Sequence, residues 1–505
     1  MKTFLGIELG STRIKSVLID DSYTSIASGV FDWENHLDNG VWTYRLSEAW
    51  AGLKGSCNML ANDFQRNYGI PLETVDCIGI SAMMHGYLVF DAAGNQLVPF
   101  RTWRNTITEQ AAAKLSAEFS FNIPQRWSIA HLYQALLNGE PHVKDIAYIT
   151  TLSGYIHWQL TGQKVLGIGD ASGMFPITAG AYDPAMVHRF RELTGIDWNS
   201  IAPAILEAGE GAGFLREPFC TIPAGIPLCP PEGDAGTGMV ATNSVAPCTG
   251  NVSAGTSIFF MAVLEKGLSK VYTEVDIVAT PDGKPVAMIH CNNCTTDIDA
   301  WMKLFWEVLV TMGINSDKAV LYDRLYNKAL EADPDCDGIL SYNYFAGEHL
   351  TNLNEGRPLL TRMPDSNFTL ANFMRALIYG AMATLKIGKD ILTEQEHITL
   401  TRLLGHGGLF KTKGVAQKLM ASALDVPIAV MKSAGEGGAW GIALLAAFAV
   451  KRSGHTLEFF LDSVFADDVS DFVKPDARET EGFAMYMRCY KAGLSVERTA
   501  VERLN

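Results

Sequence analysis

The chain begins with a distinctive pattern, Phe4-Leu-Gly-Ile-Glu-Leu-Gly-Ser-Thr12 followed by the apolar segment Ile14–Ile19. It predicts a strand, a tight glycine turn and a second strand, which together form a β-hairpin with a polar tip. The same design recurs near the middle of the chain, where Gly250-Asn-Val-Ser-Ala-Gly-Thr-Ser257 leads into the apolar segment Ile258–Leu264. The chain therefore looks duplicated.

A duplicated chain of 505 residues is long enough for two domains, each with its own core. We predict an N-terminal domain over residues 1–246 and a C-terminal domain over residues 247–505, with the boundary beside Pro247. Strand-like and helix-like patterns alternate in both halves, which predicts an α/β fold. The predicted strands are Cys77–Ala82, Tyr87–Asp91 and Ile146–Thr151, and the predicted helices are Ala111–Phe119, Ser128–Leu137, Thr295–Thr311, Lys318–Glu331, Leu370–Leu392, Lys413–Ala423, Ala439–Val450 and Gly482–Leu504.

The composition excludes several classes of protein. The formal net charge is −15 and no block rich in Lys and Arg occurs, so a nucleic-acid partner is not expected. Nine cysteines without regular spacing do not form a disulfide framework, which favours a reducing compartment. The longest apolar run, about Ala439 to Val450, is too short to cross a bilayer, and the first residues lack the core of a secretion signal. We therefore expect a soluble cytoplasmic protein without a membrane partner.

The two hairpin tips are candidate phosphate sites, because glycine turns present backbone N–H groups and hydroxyls without obstruction from side chains. An ordinary hairpin is the alternative for either tip alone, and their recurrence at matched positions favours phosphate binding. The residues concerned are Gly10, Ser11 and Thr12 in the first tip and Gly255, Thr256 and Ser257 in the second.

Asp234 leaves a loop rich in Pro and Gly and opens a predicted helix. As an N-cap residue it would have a purely structural role, which is common for aspartate. The helix dipole also keeps such a carboxylate ionised, so that it could accept a proton from a substrate hydroxyl. Both interpretations are compatible with the sequence.

Two further glycine clusters precede helical segments, one at Gly405, Gly407 and Gly408 and the other from Gly435 through Glu436 to Gly441. They would let the backbone lie against a planar ring or let helices pack closely. Cys291-Asn-Asn-Cys294 has the spacing of a metal or redox pair but lacks a second ligand pair, so neither metal nor redox function is predicted there.

Met84, His85, Trp103 and Asn105 lie at or just beyond the ends of predicted strands. A lone histidine is usually structural, and Met83-Met84 is typical of core packing. Together these side chains could also line a polyol site, with the indole against C–H groups and the histidine and asparagine on hydroxyls.

Taken in order, six motifs resemble those of the FGGY carbohydrate kinases, with Met84-His85-Gly86 most similar to the xylulokinase branch. They are Gly6-Ile-Glu-Leu-Gly-Ser-Thr12, Gly79-Ile-Ser-Ala-Met-Met-His-Gly86, Gly233-Asp-Ala-Gly236, Ser253-Ala-Gly-Thr-Ser257, Tyr344-Phe-Ala-Gly-Glu348 and Gly405–Gly408. The resemblance runs over nearly the whole chain.

This resemblance implies two actin-like, ribonuclease-H-like ATPase domains that face a central cleft, the first binding mainly sugar and the second mainly ATP. It implies that Asp234 is the catalytic base, and that Glu8 and Asp234 hold Mg²⁺ through water. The resemblance further assigns nucleotide binding to Gly10, Ser11, Thr12, Gly255, Thr256, Ser257, Gly405, Gly407, Gly408 and Glu436, and sugar binding to Met84, His85, Trp103, Asn105 and Asp234.

The expected activity is ATP-dependent phosphorylation of a ketopentose such as xylulose, with the small sugar as partner and a homodimer left open. The sequence departs from the family pattern at Glu8, where aspartate is usual, at Ala235, where xylulokinases have asparagine, and at Asn105, where aspartate is common. A kinase for another ketose or polyol, such as ribulose or a glycerol-like substrate, is therefore an alternative. A non-catalytic ATP-binding regulatory protein of the same fold is another.

Overall fold

The computed structural model describes residues 2–430, 437–466 and 472–504. Two compact units form within this part of the chain. Residues 2–246, 265–286 and 437–466 make the first unit, and residues 247–264, 287–430 and 472–504 make the second. The division after residue 246 coincides with the predicted boundary, but two later segments of the predicted C-terminal domain 247–505 belong to the first unit.

The strands alternate with helices along the chain. In chain order they are β1 Phe4–Leu9, β2 Arg13–Ile19, β3 Ser25–Asp32, β4 His36–Asp38, β5 Val41–Thr43, β6 Cys77–Ala82, β7 Leu88–Phe90, β8 Tyr148–Thr150, β9 Val165–Gly167, β10 Ile177–Thr178, β11 Ala181–Tyr182, β12 Ala204–Leu206, β13 Glu232–Gly233, β14 Thr249–Ala254, β15 Ile258–Val263, β16 Asp276–Ala279, β17 Pro285–Cys291, β18 Leu340–Tyr342, β19 Leu359–Thr361, β20 Arg402–His406 and β21 Ile428–Val430.

The α-helices, also in chain order, are α1 Leu46–Tyr68, α2 Glu109–Phe119, α3 Ser128–Leu137, α4 Leu152–Thr161, α5 Ile168–Ala171, α6 Pro184–Thr194, α7 Trp198–Ile201, α8 Asp234–Ala241, α9 Thr296–Thr311, α10 Lys318–Lys328, α11 Leu370–Asp390, α12 Val415–Leu424, α13 Gly437–Lys451, α14 Leu457–Val464 and α15 Ala477–Arg503. Short 3₁₀ turns occur at Pro141–Asp145, Ala329–Glu331, Cys336–Gly338, His349–Thr351 and Gly408–Phe410, and a π turn occurs at Ile391–Gln395.

The main sheet of the first unit has the strand order β3-β2-β1-β6-β13. Strands β1 and β2 form an antiparallel hairpin that closes with Leu9 opposite Ile14, which confirms the first predicted hairpin. Strand β6 is parallel to both β1 and β13. The carboxyl ends of these three strands therefore lie side by side at one edge of the sheet.

Within the second unit the strands follow the order β17-β15-β14-β20-β21. Strands β14 and β15 form the second predicted antiparallel hairpin, and β14 is parallel to β20, which is parallel to β21. In each unit the hairpin thus supplies the central strands, and two strands from later in the sequence complete one side. This shared order confirms that the chain is duplicated.

Most of the predicted elements are present with small shifts at their ends. The predicted strand Cys77–Ala82 and the predicted helix Ser128–Leu137 have these bounds in the structure. The predicted helix Lys318–Glu331 instead ends as an α-helix at Lys328 and continues as a 3₁₀ turn.

Helix α13 packs across the sheet of the first unit at positions that only glycine permits. A Cβ on Gly6 would lie 2.0 Å from the carbonyl oxygen of Ala439, and a Cβ on Gly441 would lie 2.1 Å from that of Thr237 in α8. These contacts favour close helix packing as the role of Gly441, the second of the two alternatives that the sequence left open. In the described part of the chain, no helix combines the length and apolar character needed to span a bilayer.

Candidate active site

Three sequence-predicted segments follow the adjacent carboxyl ends of β1, β6 and β13. The hairpin tip Gly10–Thr12 follows β1, Met84 and His85 follow β6, and Asp234 follows β13. The first turn of α13 contacts the same edge, because the N–H of Ala439 donates to Glu8. The fold of the first unit thus brings polar side chains from distant parts of the sequence to one place.

Asp234 is the first residue of α8 and is partly exposed. The N–H of Met84 donates to its Oδ1 over 3.1 Å, which ties the carboxylate to the end of β6. The surrounding protein desolvates the carboxylate and raises its pKa above the usual value. Gly233 occupies the N-cap position, so the interpretation of Asp234 as the N-cap residue is wrong.

Glu8 is the second carboxylate at this edge and is also partly exposed. Desolvation, with a smaller contribution from the negative charge of Asp234, raises its pKa to about 7. Its Oε2 accepts the 3.2 Å hydrogen bond from Ala439 in the first turn of α13, a position that suits a negative charge. A Cβ on Gly438 would lie 2.3 Å from Glu8 Oε1, so the first turn of α13 leaves room for this side chain.

The chemistry of Glu8 and Asp234 fits a magnesium ion. Both side chains offer hard oxygen donors, and each is desolvated, so a divalent cation would offset their charge. The described residues contain no group of three or more His, Cys, Asp and Glu side chains that could enclose a metal. Mg²⁺ commonly takes only one or two carboxylates and keeps water or substrate phosphates as its other ligands.

His85 is buried and has a positive φ of 69°, which is uncommon for a residue other than glycine. Its Nδ1 is 3.1 Å from the carbonyl oxygen of Gly173. Burial, reinforced by the charge of Arg126, lowers the pKa of the ring to about 3, so the imidazole is neutral at neutral pH. A neutral ring beside a carbonyl must carry its proton on Nδ1, which leaves Nε2 as an acceptor.

The other two predicted sugar ligands have structural contacts. Trp103 is half-buried and packs against the apolar core of the first unit. The amide of Asn105 accepts from the N–H of Trp42 and donates to the carbonyl oxygens of Trp42 and Thr102. These bonds join the Asn105 loop to β5, and they favour a positioning role for Asn105.

Two buried carboxylates near Asp234 were missed from the sequence. Asp170 accepts hydrogen bonds from Thr151 and Ser153 through Oδ2, and its buried Oδ1 has no hydrogen-bond partner. Glu232 accepts from the N–H groups of Gly169 and Asp170 at the start of α5. Desolvation raises the pKa of Asp170 to about 7 and that of Glu232 to about 8.

Asp170 lies directly beside the site, since a Cβ on Gly233 would be 3.2 Å from its Oδ1. A signal for it was present in the sequence, because Gly169-Asp170-Ala171 repeats the Gly-Asp-Ala of residues 233–235. The sequence alone does not show that the two copies of this tripeptide lie close together in the folded protein.

Two aromatic residues hold the first hairpin tip in place. Trp33 Nε1 donates to the carbonyl oxygen of Gly10, and Tyr44 Oη donates to that of Ser11, each over 2.7 Å. The two rings stack with centroids 4.4 Å apart. Thr12 is exposed, so its side chain is accessible at a tip whose backbone is fixed.

In the second unit the hairpin tip and the Gly405–Gly408 segment lie together. They lie at the carboxyl ends of the parallel strands β14 and β20, where Ser253 pairs with His406, and Gly405 is itself within β20. Gly407 has a φ of 101°, and a Cβ there would lie 2.4 Å from the carbonyl oxygen of Ala254, so glycine is required. The fold therefore brings both predicted nucleotide segments of this unit to one sheet edge.

The tip itself is anchored by the two residues that precede α9. The N–H groups of Cys294 and Thr295 donate to the carbonyl oxygens of Thr256 and Gly255, over 2.9 and 3.0 Å. Thr256 is exposed. Glu436, also predicted to bind nucleotide, lies outside the described residues.

Comparisons with family models identify the class of protein to which the chain belongs. The model of the FGGY family of carbohydrate kinases, N-terminal domain, matches residues 3–240, and the C-terminal domain model matches residues 250–450. The chain therefore belongs to the FGGY family of carbohydrate kinases, and it is a sugar kinase. This confirms the resemblance stated from the sequence motifs.

Individual relatives match over almost their full length but at low identity. The xylulose kinase of Haemophilus influenzae is 20% identical, with 97% of this chain and 99% of the relative covered. A ligand-bound xylulose kinase from Lactobacillus acidophilus has a TM-score of 0.81 at 15% identity, covering 100% of this chain and 99% of the other. The glycerol kinase of Plasmodium falciparum with ADP has a TM-score of 0.78 at 17% identity, covering 99% and 98%. These likenesses confirm the actin-like fold.

Proposed function

We propose that this carbohydrate kinase transfers a phosphoryl group from ATP to a hydroxyl of a ketopentose such as xylulose. The observation that carries the proposal is the carboxylate of Asp234, held by the Met84 N–H at the edge where β1, β6 and β13 end. The xylulose kinases among the relatives support a sugar of this class. The neighbouring structure with ADP supports an adenine nucleotide as the second substrate.

Asp234 is proposed as the base. Phosphoryl transfer depends mainly on positioning the attacking oxygen and on stabilising charge, with a carboxylate that accepts the hydroxyl proton. The hydrogen bond from Met84 fixes the orientation of the Asp234 carboxylate, and its raised pKa strengthens it as a proton acceptor. The attacking sugar hydroxyl would donate its proton to this group.

His85 is proposed to orient the sugar rather than to exchange protons with it. The neutral ring has its Nδ1 directed at Gly173, so Nε2 is left to accept a hydrogen bond from a sugar hydroxyl. Its low pKa argues against a role as general acid at neutral pH. Met84, the preceding residue, supports this placement, because its N–H donates a hydrogen bond to Asp234.

The glycine turns and the acidic residues are proposed to bind the nucleotide and its metal. The exposed Thr12 and Thr256 sit at hairpin tips whose carbonyl groups are already bonded, so their hydroxyls and nearby N–H groups would take phosphate oxygens. Gly405, Gly407 and Gly408 would border the adenosine. Glu8 and Asp234 would hold Mg²⁺ through water, and the ion would neutralise charge on the transferred phosphate.

A second candidate is a kinase for another ketose or a polyol, such as ribulose or a glycerol-like substrate. Two observations favour it: Ala235 replaces the asparagine of the xylulokinase pattern, and the Asn105 amide is engaged with backbone groups. Ala235 has no polar group for a sugar hydroxyl and the Asn105 amide is occupied, and such losses alter which hydroxyl pattern is accepted.

The test is a coupled assay of ADP release over pentuloses, hexuloses, aldoses and polyols, run with the wild type and Asp234→Asn. We expect a ketopentose to give the highest kcat/KM and the variant to lower kcat by at least ~10²-fold with little change in ATP binding. A polyol or hexulose as best substrate would support the second candidate. A variant with wild-type turnover would exclude Asp234 as the base.

A further inference from the structure

Two cysteines of the first unit that are far apart in sequence have adjacent thiols. Cys57 lies in the middle of α1, and Cys220 lies in the turn between Phe219 and Ile222. The two thiols are close enough for each to shift the pKa of the other. Neither residue belongs to the site described above.

The surroundings of each sulfur place both on the same face of α1. Side chains of a helix lean toward its N-terminus, so the Cys57 side chain covers the turn that precedes it, where Lys54 lies. Cys220 Sγ is 3.9 Å from the carbonyl oxygen of Lys54. On its inner side, Cys57 Sγ is 3.5 Å from Ser16 Oγ in β2.

The two thiols differ in accessibility and acidity. Cys57 is 3% exposed, whereas Cys220 is exposed to solvent. The neighbouring Cys57 thiol, with help from the charge of Lys54, lowers the pKa of Cys220, and the proximity of Cys220 together with burial raises the pKa of Cys57. An exposed thiol of low pKa beside a buried partner thiol is the arrangement of a redox-active pair.

The turn that carries Cys220 does not itself require cysteine. Phe219 and Ile222 exchange two backbone hydrogen bonds, which defines a tight two-residue turn around Cys220 and Thr221. Cys220 has a φ of 54°, a conformation that glycine and asparagine adopt more readily. Turn chemistry therefore does not explain this residue, whose side chain contacts the carbonyl oxygen of Lys54 and lies beside Cys57.

We propose that Cys57 and Cys220 form an oxidation site, at which a hydroperoxide converts the two thiols into a disulfide. The Cys220 thiolate attacks the peroxide, the O–O bond breaks, and Cys220 becomes a sulfenic acid while the departing oxygen leaves as water or alcohol. The Cys57 sulfur then attacks the Cys220 sulfur, the S–S bond forms and the S–O bond breaks. The departing hydroxyl takes the Cys57 proton and leaves as water, so in total the two thiols give up two protons and two electrons, and the peroxide is reduced to two molecules of water or to one of water and one of alcohol.

Two other cysteine positions provide comparisons within the same chain. Cys77 and Cys229 are also neighbours, but both are buried, so a peroxide in solution does not reach them. Cys489 is exposed on α15 and serves as the matched control for an accessible thiol. The proposal requires both exposure and a partner, which only Cys220 has among these residues.

The experiment treats the reduced full-length protein with hydrogen peroxide, blocks remaining thiols with N-ethylmaleimide in denaturant without reductant, and maps the peptides by mass spectrometry. We expect a cross-linked peptide pair that contains Cys57 and Cys220, reversible by dithiothreitol. The pair should persist in Cys489→Ser and be absent in Cys220→Asn, a variant chosen because asparagine tolerates a positive φ.

A second measurement compares melting temperatures. Because the cross-link restrains the unfolded chain, the oxidised wild type should melt above the reduced form, and Cys220→Asn should show no difference between the two conditions. The proposal is overturned if Cys57 remains alkylated while Cys220 becomes a sulfinic or sulfonic acid. It is also overturned if Cys220 links two chains or if Cys489 is oxidised in preference to Cys220.

Discussion

Replacing Gly438 by alanine should displace Glu8 without changing the chemistry of either carboxylate at the site. A Cβ at this position would lie 2.3 Å from Glu8 Oε1 and 2.8 Å from Thr237 Oγ1. An ordinary van der Waals contact begins at 3.4 Å, so the carboxylate oxygen must move by about 1 Å. The Ala439 bond to Oε2 opposes that movement, since it holds the other carboxylate oxygen at 3.2 Å.

The structure sets the size of the expected effects. Overpacking of this kind costs about 1–3 kcal/mol, and replacing glycine by alanine in a helix returns roughly 1 kcal/mol, so we expect a folded protein with a net loss of about 0–2 kcal/mol. A displacement of about 1 Å at a site that positions reactants lowers turnover by as much as ~10²-fold. We therefore expect kcat to fall far more than stability.

The assay combines ADP release with thermal unfolding, and the decisive comparison is a double variant. Glu8→Asp shortens the side chain by one methylene and removes the contact with a Cβ at position 438. Gly438→Ala with Glu8→Asp should therefore be more active than Gly438→Ala alone, with a coupling free energy of about 0.5–3 kcal/mol between the two positions. The rescue should be partial, because the Thr237 hydroxyl still contacts the new methyl group.

Two results would refute this reasoning. Gly438→Ala with wild-type turnover would show that the position of the Glu8 carboxylate does not matter for the reaction. Additive effects of the two substitutions would show that the longer side chain of Glu8 does not need the room left by glycine at position 438.

Three other predictions concern single side chains. His85→Ala should raise the KM for the sugar about 10-fold or more and leave the KM for ATP nearly unchanged, because a buried hydrogen bond to a hydroxyl is lost; a lower melting temperature with unchanged sugar KM would indicate a purely structural histidine. Glu8→Ala should raise the Mg²⁺ concentration for half-maximal activity and lower turnover, whereas Glu8→Asp should be tolerated better; an unchanged Mg²⁺ midpoint in a folded Glu8→Ala protein would contradict the metal role. Burial raises the pKa of Glu348 from 4.5 to about 7, so its protonated form stabilises the fold below pH 4.5 and this contribution is lost as the pH rises through 7. Urea unfolding should accordingly show that over this pH range the free energy of unfolding of the wild type falls by on the order of a few kcal/mol relative to that of Glu348→Gln. Parallel pH profiles of the two proteins would contradict the raised pKa of Glu348.

The hairpins and the long helices could be predicted because their signals are local. Glycine turns between apolar runs specify β1–β2 and β14–β15, and helical periodicity specifies α3 and α9 within a residue or so of their ends. Once the duplication is recognised, the order of the central strands follows for both units.

The missed features depend on contacts between distant residues. Asp170 approaches Gly233 only because α5 packs beside β13, and Glu232 caps α5 although the two are more than 60 residues apart. The assignment of residues 265–286 and 437–466 to the first unit has the same origin. No local pattern in the sequence shows that α13 packs on a sheet whose strand β1 lies more than 400 residues earlier in the chain. That packing is established only by tertiary contacts such as the one between Gly6 and Ala439.

The contacts of the Glu8 side chain show how two different roles for it can coexist. Its side chain is one methylene longer than the aspartate usual in the family, and its carboxylate is suited either to a metal or to neighbouring backbone N–H groups. The structure gives Oε2 such a backbone partner in Ala439, yet the carboxylate is partly exposed and shares its electrostatic environment with Asp234. The two roles are therefore compatible, because the bond at Oε2 orients the side chain, and Oε1, beside Gly438, would be the atom to bind a water of the proposed Mg²⁺. In that arrangement the size of residue 438 limits how far the side chain of residue 8 can extend, so the longer Glu8 side chain requires glycine at position 438.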